Sequence, residues 1–428
     1  MLIRSFLFLL ITLSLAGCAS KVVNSQDEIA CIQIKDQNGL SETINNPTRL
    51  EQFGSVDFLQ SQPYKQILRV YKKDEEGKSS SIFTSYHSNG LVKQYLEGID
   101  TIAKGAYKEW YSNGQIKIIA QVVGGPCDLN PSAQKEWLFD GESKAWSEDG
   151  NLEAIFNYDN GALNGTTVYF FPSGEKKKSV SYQRNLIHGE LCTYFEGGAL
   201  KSKTDYTQGK KSGASLGYWQ NEKPSYFEEY NDGKILTGVY YSPSGALTSE
   251  IQGGSGYRTF FIDGVLHETQ EFRNGILDGL VERYDCYGEI ERQIYMKNGM
   301  RQGEEVEYYK INQASSNIES RKKLSIGWDE DMIHGIVKTW YPNGKLETQK
   351  EYYQNKKNGT ACGWFSDGNV MFIEEYEKDL LEKGTYYKQH QKSPTSKVLE
   401  GNGTATIYDG KTGSFIRKVQ YLNGKPQE

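Results

Sequence analysis

Glycines recur through most of this chain at intervals of 24 residues, and that spacing constrains the fold more than any other feature. Gly141, Gly165, Gly189 and Gly213 follow one another without a gap, and the same distance separates Gly279 from Gly303 and Gly335 from Gly359. A fixed period of this length is the mark of stacked copies of one small unit, each burying its apolar face against its neighbours. Over the repeated stretch it excludes a globe built around one active-site cleft.

With Gly335 as position zero, aromatics fall at offsets five and six (Trp340, Tyr341), a glycine at nine (Gly344), an aliphatic at eleven (Leu346) and an aromatic at seventeen (Tyr352). Gly359 repeats the pattern with Trp364, Phe365, Gly368, Val370 and Tyr376, and Gly189 with Tyr194, Phe195, Gly198, Leu200 and Tyr206. Offsets one to six are expected to form a strand that starts at the repeat glycine. Asn343-Gly344 and Asp367-Gly368 are expected to be two-residue hairpin turns with positive φ, and Leu346 to Tyr352 a second strand. The 30 tyrosines and 45 glycines suit many short strands and tight turns. The fold class is therefore all-β, an antiparallel sheet of stacked hairpins of about 24 residues. Rings at offset five are expected to stack from unit to unit. Those at offset six (Tyr111, Phe171, Phe195, Trp219, Phe261, Tyr341 and Phe365) point to the other face and are the candidate partner-binding residues. Such a ladder, spaced about 9–10 Å, could also stack on sugar rings.

The N-terminus carries an address. Arg4 precedes a short apolar run from Ser5 to Leu15, followed by Leu15-Ala16-Gly17-Cys18. This resembles the bacterial lipobox, which implies cleavage before Cys18 and lipid attachment at that cysteine. Residues 1–17 are then a signal peptide, and 18–64 the lipidated cysteine and a polar tether. Residues 65–80 are a capping strand and turn, and 81–428 the repeat array. Polar or proline-containing insertions interrupt the array near 121–140, 310–333 and 388–402. Ala19 is not aspartate, which favours an outer-membrane address, on the periplasmic or surface face, if the host is Gram-negative.

Five cysteines follow Cys18: Cys31, Cys127, Cys192, Cys286 and Cys362. Cys192 and Cys362 share a phase of the repeat but would lie roughly 65 Å apart in a straight stack, beyond disulfide reach. Cys31–Cys127 is the one bridge to consider. The net charge of −6 offers no basic excess for nucleic acid. The five histidines are scattered over many units, so no metal site is expected; His188 and His334 precede repeat glycines as turn residues. Gly213-Ala214-Ser215-Leu216-Gly217 spells a nucleophile elbow, yet the segment reads as strand rather than the strand-to-helix turn that motif needs. No catalytic residue and no cofactor is expected.

Units of the form G-x4-aromatic-aromatic-x-N-G-x-L resemble MORN repeats, and more closely the bacterial variant in antitoxin-type, YwqK-like proteins. The resemblance covers about residues 81–428. It implies an elongated, twisted antiparallel sheet that acts as a scaffold for protein partners. The expected function is a non-enzymatic, membrane-anchored lipoprotein of the cell envelope that binds an unidentified protein. Immunity against a toxin and glycan or cell-wall binding are the alternatives.

Overall fold

The computed structural model describes residues 28–73, 77–310 and 321–427. The signal peptide and Cys18 lie outside these residues. Every strand pairing in the described residues is antiparallel, and two short helices accompany the strands. The chain divides into two compact units, one up to Ala162 and one from Leu163.

In the first unit, the segment expected to be a polar tether is folded from residue 28 onward. Strand Glu28–Asp36 pairs with Ser41–Ile44 on one side and Lys65–Lys73 on the other. Asn46 caps the short helix Pro47–Glu51, accepting the Arg49 backbone N–H. Ile32, Ile44, Leu50, Leu68 and Val70 are buried together. The alternation of Ile32 and Ile34 with polar neighbours was too brief to stand out, but one buried face of a strand needs no more. The expected insertion at 121–140 is a plug rather than a surface loop. Its helix Pro131–Gln134 brings Leu129, Ala133 and Trp137 against Leu96 and Tyr107. The Trp137 ring meets Tyr107 edge-on at 4.9 Å, and its Nε1 donates to the Pro126 carbonyl at 2.9 Å.

In the second unit the hairpins follow in chain order, and their register corrects two expectations. The repeat glycine does not begin its strand. Leu186–Tyr194, Lys210–Tyr218, Met332–Trp340 and Lys356–Trp364 are nine-residue strands with the glycine fourth. His188 and His334 are accordingly strand residues, not turn residues. The glycine sits at a bulge. Lys350 faces Ala361 and Tyr352 faces Lys357, so Glu351 alone opposes residues 358–360. Its carboxylate accepts the Thr360 N–H at 3.1 Å. Gly359 has φ +109°, and a Cβ there would lie 2.1 Å from Glu351 Oε2.

The two turns of a unit are of different kinds. At the first, Gly344 N–H donates to Tyr341 O and Tyr341 N–H to Lys345 O, both at 2.9 Å. Only the glycine of the Asn343-Gly344 pair has positive φ. This is a three-residue loop ending in a left-handed glycine, not the expected two-residue turn. The second turn is the two-residue form with both φ positive, as in Gln354-Asn355 (46° and 65°) and Lys378-Asp379 (48° and 71°).

Breaks in the period mark corners. The shortened unit around Gly238 and the insertion at 388–402 each hold a short hairpin, Leu247–Gln252 with Ser255–Ile262 and Ser396–Leu399 with Asn402–Tyr408. Backbone bonds run Gly275 to Gly254 and Gly424 to Gly401 in the same way at both. Each corner closes over a core: Tyr230, Ile235, Tyr240, Ile251 and Phe272 in the first, and Leu381, Tyr386, Val398 and Ala405 in the second. Of the third expected insertion, Lys322–Asp329 is a regular strand and Glu330-Asp331 a two-residue turn; residues 311–320 lie outside the description.

Candidate functional site

Six of the seven offset-six aromatics follow the last residue of a strand and open the first turn, and Phe261 is the next-to-last residue of strand Ser255–Ile262. None stands as a free platform. Tyr341 and Phe365 are 2% and 0% exposed, and the other five are half-buried. Their polar tips and edges are spent on the next unit. Tyr111 OH donates to the Trp146 carbonyl at 2.9 Å, Tyr341 OH to Trp364 O at 2.8 Å, and Trp219 Nε1 to Tyr241 O at 3.2 Å. His87 and Tyr309, in the same phase, reach Trp110 O and Trp340 O. A lysine six residues on lies over three of the rings: Lys117 on Tyr111 at 5.6 Å, Lys177 on Phe171 at 5.7 Å and Lys201 on Phe195 at 5.6 Å. Phe261 meets Trp219 edge-on at 5.9 Å. The tyrosine and tryptophan hydrogen bonds join hairpin to hairpin, and each lysine–ring contact braces a single hairpin, so the rings form a seam along the turns with five of the seven still partly exposed.

The turn asparagines extend that seam. Asn89, Asn113, Asn221 and Asn343 each accept the backbone N–H two residues on and donate Nδ2 to a carbonyl of the following turn, at 2.7–3.1 Å. At the opposite edge Asn185, Asn355 and Asp379 exchange bonds with Leu163, Ile333 and Lys357. In each case the backbone N–H goes out and the side-chain oxygen receives one in return.

Ser215 is 1% exposed in strand Lys210–Tyr218, with its hydroxyl 2.8 Å from Thr204 Oγ1. The literal elbow motif is thus strand interior. Cys31 and Cys127 are both free thiols; burial pushes the Cys127 thiol up.

A different surface has the form of a site. Strands Val265–Arg273, Ile276–Tyr284, Ile290–Lys297 and Met300–Tyr308 line a concavity of about 280 Å³. Its walls are Leu277, Val281, Ile294 and Met296 with Glu268, Arg283, Arg292, Arg301 and Asp331. Arg283 and Arg292 are direct cross-strand partners. Glu268 Oε2 takes Arg283 Nη2 at 2.9 Å and Nε at 3.2 Å. Glu305 Oε1 lies 2.5 Å from Arg292 Nη2, and its other oxygen accepts Trp328 Nε1 at 2.7 Å. Arg292 Nε is buried without a hydrogen-bond partner among the described residues. Arg301 stacks on Trp328 at 3.6 Å from the ring centre and donates Nε to Asp331 Oδ1 at 2.8 Å. That hydrogen bond holds the exposed Asp331 carboxyl below its ordinary value.

These arginines were missed in the sequence, although a signal was there. Offsets four and thirteen are cross-strand partners in other units, as with Thr339 and Thr348, Thr193 and Ser202, and Ala145 and Ala154. In the Gly279 unit the same two offsets hold Arg283 and Arg292.

The model of the MORN repeat variant matches residues 104–123, 139–160 and 333–355. Each match falls on one hairpin and its turns. This repeat type suggests a repeat-based interaction scaffold. No curated protein matches the chain.

Proposed function

We propose that this protein is a non-enzymatic lipoprotein that holds a protein partner at the bacterial cell envelope. Its anchor is a lipid on Cys18, and its contact surface is the concavity between Glu268 and Asp331. The observation that carries the reading is that concavity: an apolar floor ringed by arginines held in place by their own carboxylates. Pre-oriented arginine beside apolar surface is the composition of protein-binding hot spots. The repeat matches support the scaffold part, and the lipobox-like Leu15-Ala16-Gly17-Cys18 supports the anchor. A secreted toxin is one class of partner such a scaffold serves. Glycan stacking loses its footing, since the aromatic ladder is engaged within the sheet.

Two experiments test this. Crosslinking of the full chain in its native envelope, followed by capture, is expected to recover one reproducible partner; repeated recovery of none refutes the scaffold. Fractionation is expected to place the chain with membranes and to release the Cys18→Ala variant or leave it unprocessed. A C18A variant with both its distribution and its processing unchanged refutes the anchor.

A further inference from the structure

We infer that the concavity receives an extended segment of the partner protein carrying an acidic residue beside an apolar one, the carboxylate bridging Arg283 and Arg292. The inference rests on the scaffold reading and names the chemistry of its partner. Like charges directly across a strand pair are unfavourable, and the equivalent pairs in other units carry none: Thr193 with Ser202, Thr339 with Thr348, Ala145 with Ala154 and Gly217 with Tyr226. An arginine pair here costs the sheet stability that a threonine pair would not. Glu268 and Glu305 offset that cost from outside, each holding one guanidinium by its Nη2 side. Arg292 Nε is buried without a hydrogen-bond partner among the described residues. Cross-strand Cα atoms lie about 4.5–5.5 Å apart, close enough for two guanidinium groups to share one carboxylate.

The floor sets the rest of the ligand. Val281 and Ile294 are opposite each other one step along the same strands, only 9% exposed, with Leu277 and Met296 beyond them. A segment with its carboxylate on the arginines therefore lays its next same-face residue, about 7 Å on, over Val281 and Ile294. That residue is apolar. The surrounding carboxylates of Glu268, Glu305 and Asp331 already balance the arginines, so a densely charged polyanion is disfavoured relative to a single acidic residue.

The probe is a set of immobilised nonapeptides with a central glutamate flanked at alternate positions by leucine, each paired with a glutamine twin. The full chain is expected to bind the glutamate peptides at least tenfold tighter than their twins. The Glu268→Gln/Arg283→Gln double variant removes both members of one ion pair together and is expected to lose that preference at an unchanged unfolding midpoint. A measurement without any variant backs it: the glutamate peptide, and not its twin, is expected to protect Arg283 and Arg292 from phenylglyoxal, mapped by mass spectrometry. Equal binding of the twins, or no protection, overturns the inference. If an envelope partner is captured equally by the wild-type and double-variant chains, the scaffold stands and this site falls. If peptides bind as expected but no envelope partner is found, the site stands and the scaffold falls.

Discussion

Arg258 is the residue whose loss should tell most about how the corners of the second unit are held. Its side chain is 14% exposed and its Nη2 lies 2.8 Å from Oε1 of Glu228, which is 6% exposed. The same carboxylate accepts Tyr240 OH at 2.8 Å and Tyr230 OH at 2.9 Å, and the guanidinium covers the Phe272 ring at 4.7 Å. Burial works against the Arg258 charge, but the facing Glu228 and the two tyrosines outweigh it and raise its pKa. Arg258→Met keeps the apolar stem and leaves a buried carboxylate without its cation. Breaking such a pair costs about 3–5 kcal/mol. Glu228→Gln combined with Arg258→Met removes both charges and leaves the tyrosine hydroxyls a neutral acceptor, so most of the loss should return, to within about 1.5 kcal/mol of wild type. Urea unfolding gives the totals. Hydrogen exchange gives the place, and lost protection should concentrate in strands Pro224–Asn231 to Val265–Arg273, because a repeat array couples mainly to nearest neighbours. A single-variant loss below about 1 kcal/mol, or a double variant no better than the single, would refute this account.

Three further outcomes are expected. Gly335 and Gly359 both have positive φ, but only at Gly359 would a Cβ strike Glu351. Gly359→Ala should therefore destabilise by about 1 kcal/mol more than Gly335→Ala in the same melt, and equal losses would show that the close approach is not felt. Asn343→Ala removes both a donor to Ser366 O and an acceptor from Lys345 N–H, which predicts a loss of about 1–2 kcal/mol, with Asn343→Asp losing only the donor and so roughly half; an aspartate variant as weak as the alanine would contradict the two-sided role. Burial raises the pKa of Tyr107 and Tyr240 well above the usual 10. Above about pH 10 the unfolded chain loses protons that the folded chain keeps, so stability should fall as pH rises from there. Absorbance at 295 nm should report tyrosinate appearing together with unfolding; ionisation of these tyrosines near pH 10 in a chain still folded would count against their burial.

The hairpin period was legible because it depends on local requirements: an αL glycine, a turn asparagine, and strand residues at alternate positions. Gly344 and Asn343 declared their turn in sequence, although the number of left-handed residues in it did not show. Where the glycine sits was harder. Gly359 looks like a turn residue until Glu351, eight positions back, is found folded against it, and only the pairing register brings those two together. The aromatic offsets were visible, but a residue such as Tyr341 reads the same whether it faces solvent or the carbonyl of Trp364. Sequence alone therefore determined that this chain is a stack of antiparallel hairpins of about 24 residues, since turn chemistry and side-chain alternation act within one unit. Tertiary structure decided the fate of everything that interrupts the period. Trp137 became a plug, the short hairpins after Tyr241 and Tyr386 became corners with cores, and Arg283 met Arg292 across a strand pair. Each of those outcomes depends on which strand lies beside which, and that is a contact between distant residues that no local preference encodes.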